Sequence, residues 1–298
     1  MELKDLYDGN FYHVCTDGND CQTLMKDESD YSVALNYLAL CSWRTDVSIA
    51  SYCIMSNHFH FIVMAVHRDN VDSFIALFKK SYAMYFQRKY TLAKVMKYVR
   101  NGVTLIHDVK YLQNCVAYVL RNPVSAGICA RVDEYPWSSY GCYFSSRKYG
   151  DVWKKVSDLN SREMRLYLRT DRELAGCPFL VDRSGCIIPE SFVMVDIIEH
   201  LFRKSGKVFL LALGICRDSQ MEYELTVRPV IRSSDLDIVA EADRLATRYF
   251  SGRPMSGLSS AEKCRMVKSL FFNYKSSVPQ LSRVLGLPKD VIKKILGT

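Results

Sequence analysis

The run VSIASYCIMSNHFHFIVMAV, Val47 to Val66, decides the fold. Two stretches rich in β-branched and aromatic residues, VSIASYCIM and HFHFIVMAV, are parted by Ser56-Asn57, and the pattern predicts paired strands. Upstream, FYHVCT (Phe11 to Thr16) has strand character and is followed by a loop, DGNDCQ. Next, DESDYSVALNYLALCSW repeats Tyr31, Leu35, Leu38 and Trp43 at helical spacing behind acids suited to a helix start. Downstream, NVDSFIALFKKSYAMYFQRKY places Val71, Phe74, Phe78, Tyr82 and Phe86 on one helical face and bases among the remaining positions, an amphipathic basic helix. A polar, Gly-containing stretch around Arg100 to Thr104 leads to HDVKYLQNCVAYVLRNP, expected to be helical until Asn122-Pro123 stops it. Strand, helix, strand, strand, helix, helix is the order of an α+β sandwich with helices on an antiparallel sheet. This first domain is expected over residues 1–150. Residues 151–235 hold a polar helix, SREMRLYLRT, and a loop or short hairpin, CPFLVDRSGCIIPES, to which no chemistry attaches. Residues 236–298 read as helical throughout.

The chain has 298 residues, enough for two domains, with 49% hydrophobic and 24% charged residues. That balance excludes disordered, collagenous and coiled-coil classes. The longest apolar run, Val208 to Cys216, falls far short of the roughly 20 residues a membrane-spanning helix needs. The start, MELKDLYDGNFYH, has acids where a signal peptide has bases, so a cytoplasmic protein is expected. Eleven cysteines form no CxxC pair, and Cys41, Cys53 and Cys115 sit in apolar runs, which reads as reduced core thiols and gives a structural zinc site little support.

The net charge of +8 is unevenly spread. Ser73 to His107 holds seven bases (Lys79, Lys80, Arg88, Lys89, Lys94, Lys97, Arg100) and no acid, and Val239 to Thr298 has eleven bases against four acids. The rest of the chain is therefore net acidic. Two basic zones on an acidic background suit two contacts with an extended polyanion, although solvated helix faces produce the same count.

His58-Phe59-His60 is the sharpest local feature. Alternation along a strand sends both imidazoles to one face, where they can share a divalent ion and leave open positions for substrate oxygens. Two surface histidines on an edge strand are the alternative. Tyr118 and Asn122, four residues apart on the helix ending in YVLRNP, share a helical face, so the Asn122 amide oxygen is a candidate third ligand beside the Tyr118 hydroxyl. A free phenol is a poor nucleophile and needs a phosphate made electrophilic by a metal. Tyr111 lies two turns earlier, but the residue four after it is Cys115, a soft ligand ill suited to a hard ion.

IMSNHFHFIV, SYAMYFQRKY, YVLRNPVSAGI and YPWSSY, in that order, resemble the REP-associated tyrosine transposases of the single-tyrosine HUH family, over about residues 11–140. The resemblance implies a ferredoxin-like HUH nuclease domain with His58, His60 and Asn122 holding Mg²⁺ or Mn²⁺ and Tyr118 as nucleophile. It also implies cutting and rejoining of single-stranded DNA beside hairpins or repetitive palindromes through a 5′-phosphotyrosine. The bases Lys79, Lys80, Arg88, Lys89 and Arg121 are the expected DNA contacts in this domain. One departure stands out: the family's GxxWxxRF-type element is replaced by RNGVTLIHDVKYLQN, with no Trp. At the C-terminus, VPQLSRVLGLPKDVIKKIL resembles a helix-turn-helix, with Gly286 at the turn, Pro288 opening the second helix, Leu281, Leu285, Val291 and Ile295 as core, and Lys289, Lys293 and Lys294 toward phosphate. A non-catalytic DNA-binding regulator and an RNA-processing metallonuclease are the rival functions. A homodimer is compatible with the sequence, and no membrane partner is expected.

Overall fold

The computed structural model describes Leu3 and residues 7–16, 23–91, 101–145, 151–215, 234–274 and 276–296. The DGNDCQ loop and Lys94, Lys97 and Arg100 lie outside the described residues. The elements run β1 (Asn10–Thr16), α1 (Glu28–Arg44), β2 (Ser48–Ile54), β3 (Phe59–Ala65), α2 (Arg68–Tyr90), β4 (Asn101–Ile106) and α3 (Val109–Ser125). The strands form an antiparallel sheet ordered β2-β3-β1-β4, the ferredoxin-like arrangement of a βαββαβ chain.

Strand alternation sorts the layers. Phe59 and Phe61 point toward α2, meeting Phe78 at ring distances of 5.0 and 5.3 Å. Val71, Phe74, Phe78, Tyr82 and Phe86 are all buried there, as the helical spacing requires. The opposite face carries His60 and the odd-numbered residues of β1, and α3 packs across it. Tyr135 to Tyr140, the YPWSSY segment, covers the outer edge of β2: Ile54 N donates to the Trp137 carbonyl (2.9 Å), Tyr52 N donates to Ser139 Oγ (3.0 Å), and Trp137 stacks on Tyr31. An edge strand that would otherwise present unpaired backbone groups is thereby closed.

Two elements differ from the sequence expectation. The polar stretch at Arg100 to Thr104 contributes a fourth strand, with Asn101 to Ile106 pairing with β1. Gly102 permits this close pairing, because a Cβ there would stand 2.8 Å from Cys15 Sγ. Helix α3 also runs past Pro123 to Ser125. Proline removes the N–H that would reach the Val119 carbonyl, and the Asn122 side-chain amide stands in, donating to the Tyr118 and Val119 carbonyls at 3.0 and 3.4 Å.

Residues 151–215 add a short strand pair, Val152–Lys155 with Leu180–Asp182, and the helix Gly206–Ile215, which lies against α3. Val156, Val181, Ile187, Phe202 and Phe209 join the same core as the sheet. A second core, including Ile238, Leu245, Leu270, Leu281, Leu285 and Ile292, organises the C-terminal helices. There Val278–Leu285 ends at Gly286 in the left-handed conformation (φ 67°), followed by Lys289–Leu296. Ile292 fills the core position expected of Val291, which is exposed. The two units meet at Asp235, a buried carboxylate held by the Arg283 guanidinium (Nε 3.0 Å, Nη2 3.1 Å) and by the Ser56 hydroxyl. No helix among the described residues is long and apolar enough to cross a membrane.

Candidate active site

The site forms where β1, β3 and α3 meet. His60 lies within β3 and is buried, and His58 immediately precedes the strand and is half-buried. Their rings stand 4.9 Å apart at 83°. Across from them, the half-buried Tyr118 ring meets His60 edge-on at 5.6 Å. The sheet-and-helix framework thus brings the histidine pair and Tyr118 together, as the family resemblance implies. Tyr111, two turns earlier, is exposed.

Asn122 follows Tyr118 by one helical turn. Its amide nitrogen donates to the Tyr118 carbonyl and to the Val119 carbonyl that Pro123 leaves without a donor, so its oxygen is the atom remaining for a ligand role. Asn57 plays a supporting part beside His58. It is buried, and its Oδ1 accepts from His58 Nδ1 at 2.8 Å. That bond sets the tautomer and places the ring's lone pair on Nε2.

His13 escaped the sequence reading. It lies on β1, its Nε2 is 3.3 Å from His60 Nδ1, its ring stacks on that of His60 at 5.5 Å, and it meets the Tyr118 ring edge-on at 5.9 Å. Cys15 is the cross-strand partner of His60. The signal was present as His13-Val14-Cys15, two ligand-type residues at the same alternate spacing as His58 and His60.

Burial lowers the pKa of His13 to about 4. Burial, aided by His58 and His13, holds His60 well below the usual histidine range. Both imidazoles are therefore neutral at pH 7, the protonation state a metal ligand needs. His58, His60 and the Asn122 amide oxygen are donor types that would suit a divalent ion and leave positions open for phosphate oxygens.

The charged residues divide into two groups. On α2, Lys80 and Arg88 are exposed, and Lys79 reaches Asn101 Oδ1 (3.1 Å) at the start of β4, the edge strand among the described residues. Lys293 and Lys294 are exposed on the last helix and Lys289 half-exposed at its start. Lys89 and Arg121, expected to face DNA, have internal partners instead. Lys89 pairs with Asp27 (2.6 Å) and with the fully buried Asp30 (2.8 Å), whose second oxygen also accepts from Tyr90. Arg121 donates to the Leu213 carbonyl in the neighbouring helix.

Residues 10–103 match the family model described as IS200-like transposase. No curated protein matches the chain. Among solved structures, a REP-associated tyrosine transposase bound to a REP hairpin is similar at 19% identity and a TM-score of 0.37, over 45% of this chain and 78% of that one.

Proposed function

We propose, from the match of residues 10–103 to the IS200-like transposases, that this chain cuts and rejoins single-stranded DNA through Tyr118. The contact of the Tyr118 ring with both His60 and His13 is the observation that carries this reading. Tyr118 Oη loses its proton and forms a bond to the scissile phosphorus while the bond to the 3′ oxygen breaks; that oxygen takes up a proton, giving a 5′-phosphotyrosine and a free 3′-hydroxyl. One phosphodiester is exchanged for another, so no ATP is consumed and a second 3′-hydroxyl reverses the step. His58, His60 and Asn122 are the residues that would hold Mg²⁺ or Mn²⁺, which supplies charge neutralisation at the phosphate. Asn57 keeps His58 aimed, and α3 keeps the phenol beside the histidines.

Lys79, Lys80 and Arg88 would track the cut strand, and the paired helices Val278–Leu285 and Lys289–Leu296 would anchor a hairpin as a helix-turn-helix, with Lys289, Lys293 and Lys294 on phosphate. Lys89 and Arg121 fall outside this set because their charges are already engaged. The separate C-terminal core supports setting residues 236–298 apart, whereas residues 151–215 share the core of residues 1–150.

The test is incubation with hairpin-flanked single strands and Mn²⁺, followed by a search for an SDS-resistant protein–DNA adduct. An adduct in the native protein and in Tyr111→Phe, but absent in Tyr118→Phe, is the expected result. Persistence in Tyr118→Phe removes the nucleophile assignment. Specific DNA binding with no adduct on cognate DNA leaves the non-catalytic regulator as the function.

A further inference from the structure

We propose a second, soft-metal site at His13, Cys15 and His60, suited to Zn²⁺, whose occupation excludes the hard ion from the His58–His60 pair. The ligand atoms of these three side chains lie within 4.8 Å of one another. The placement follows from the sheet. His13 and Cys15 stand on one face of β1, and Cys15 is in register with His60 on β3. The 3.3 Å between His13 Nε2 and His60 Nδ1 matches the edge of a tetrahedron whose nitrogens each sit about 2.0–2.1 Å from zinc. Gly102 on the neighbouring strand supplies the space that Cys15 Sγ occupies. Two imidazoles and a thiolate form a donor set that selects Zn²⁺ over Mg²⁺, with the fourth position open. Binding converts the Cys15 thiol to thiolate and releases one proton to solvent.

His60 makes the two sites exclusive. A neutral imidazole has one lone pair, on one ring nitrogen, and carries a proton on the other. Ligation through Nδ1 beside His13 leaves Nε2 protonated and unable to hold an ion shared with His58. Zn²⁺ is therefore an antagonist of the Mg²⁺- or Mn²⁺-dependent reaction. That consequence rests on the proposed function, whereas the binding site itself does not.

Co²⁺, a spectroscopic substitute for Zn²⁺, distinguishes the two. The native protein should give a tetrahedral Co²⁺ spectrum with a thiolate-to-metal charge-transfer band that Zn²⁺ bleaches. Cys15→Ser should lose the band and weaken Zn²⁺ by more than the roughly 10–100-fold that loss of an outer-shell partner costs. His13→Gln should weaken Zn²⁺ likewise. His58→Ala should keep the band. Absence of the band in the native protein, its persistence in Cys15→Ser, or its loss in His58→Ala would each overturn the site. In cleavage assays, Zn²⁺ should inhibit the native protein and spare Cys15→Ser; equal inhibition of both would overturn the antagonism. Absence of cleavage altogether would count against the proposed function while the Co²⁺ spectra still judge the metal site.

Discussion

At the residue scale the site depends on which nitrogen and which oxygen each side chain offers. Asn57 settles this for His58, because its Oδ1 accepts a hydrogen bond from Nδ1–H and so places the ring's lone pair on Nε2. Asn57→Leu should weaken Mn²⁺ binding by about 10–100-fold by calorimetry, the usual effect of losing an outer-shell partner, and Asn57→Asp should restore much of it. Unchanged affinity in Asn57→Leu would contradict the orienting role. The pair His58 and His60 was legible in the sequence because strand alternation assigns side chains to faces without knowledge of the fold, and Tyr118 was legible through the resemblance carried by YVLRNPVSAGI. His13 was not, since its relation to His60 depends on the β1–β3 register, which local spacing does not set.

At the element scale, what the sequence concealed were exceptions to local rules. Asn101 to Ile106 read as a polar connector because Gly102 and exposed polar positions mask an edge strand whose reason is close packing on Cys15. Helix α3 continues through Pro123 because Asn122 supplies the missing donor, a compensation no propensity scale contains. In the C-terminal helix, assigning the core to Val291 and Ile295 set the buried face about one residue away from Ile292, which the packing of neighbouring helices buries. The Asp235–Arg283 pair lies within the second unit, the Ser56 hydroxyl ties Asp235 to the turn before His58, and the Asp235 side chain is 1% exposed. Arg283→Ala would leave that carboxylate buried without its cation, and denaturant unfolding should show a loss of about 3 kcal/mol. A change under about 0.5 kcal/mol would mean that the carboxylate is hydrated in solution.

At the scale of the whole molecule, charge and acid stability follow from where the ionised groups sit. Backbone and side-chain hydrogen bonds from Ser259, with the Arg253 guanidinium, lower the Glu262 pKa from 4.5 to about 2. The folded carboxyl is thus the stronger acid, so its stabilising contribution is complete above about 4.5 and lost as pH falls toward 2. In Glu262→Gln, the decline of stability across that window should be shallower; an identical slope would show that the contact does not persist in solution. The net charge of +8 resolves into two basic zones, of which the C-terminal one presents Lys293 and Lys294 outward. Replacing both by Ala should lower the salt slope of hairpin binding by about 2, near one unit for each phosphate contact. A slope equal to that of the native protein would remove these lysines from the interface.

The central claim is that one phenol beside the histidine pair becomes covalently linked to DNA. Proteolysis of the trapped adduct and mass spectrometry of the nucleotide-bearing peptide test it most directly. The account predicts a single modified peptide from α3, with the 5′-phosphate on Tyr118. A phosphate on Tyr111 or on any tyrosine outside α3 would contradict it.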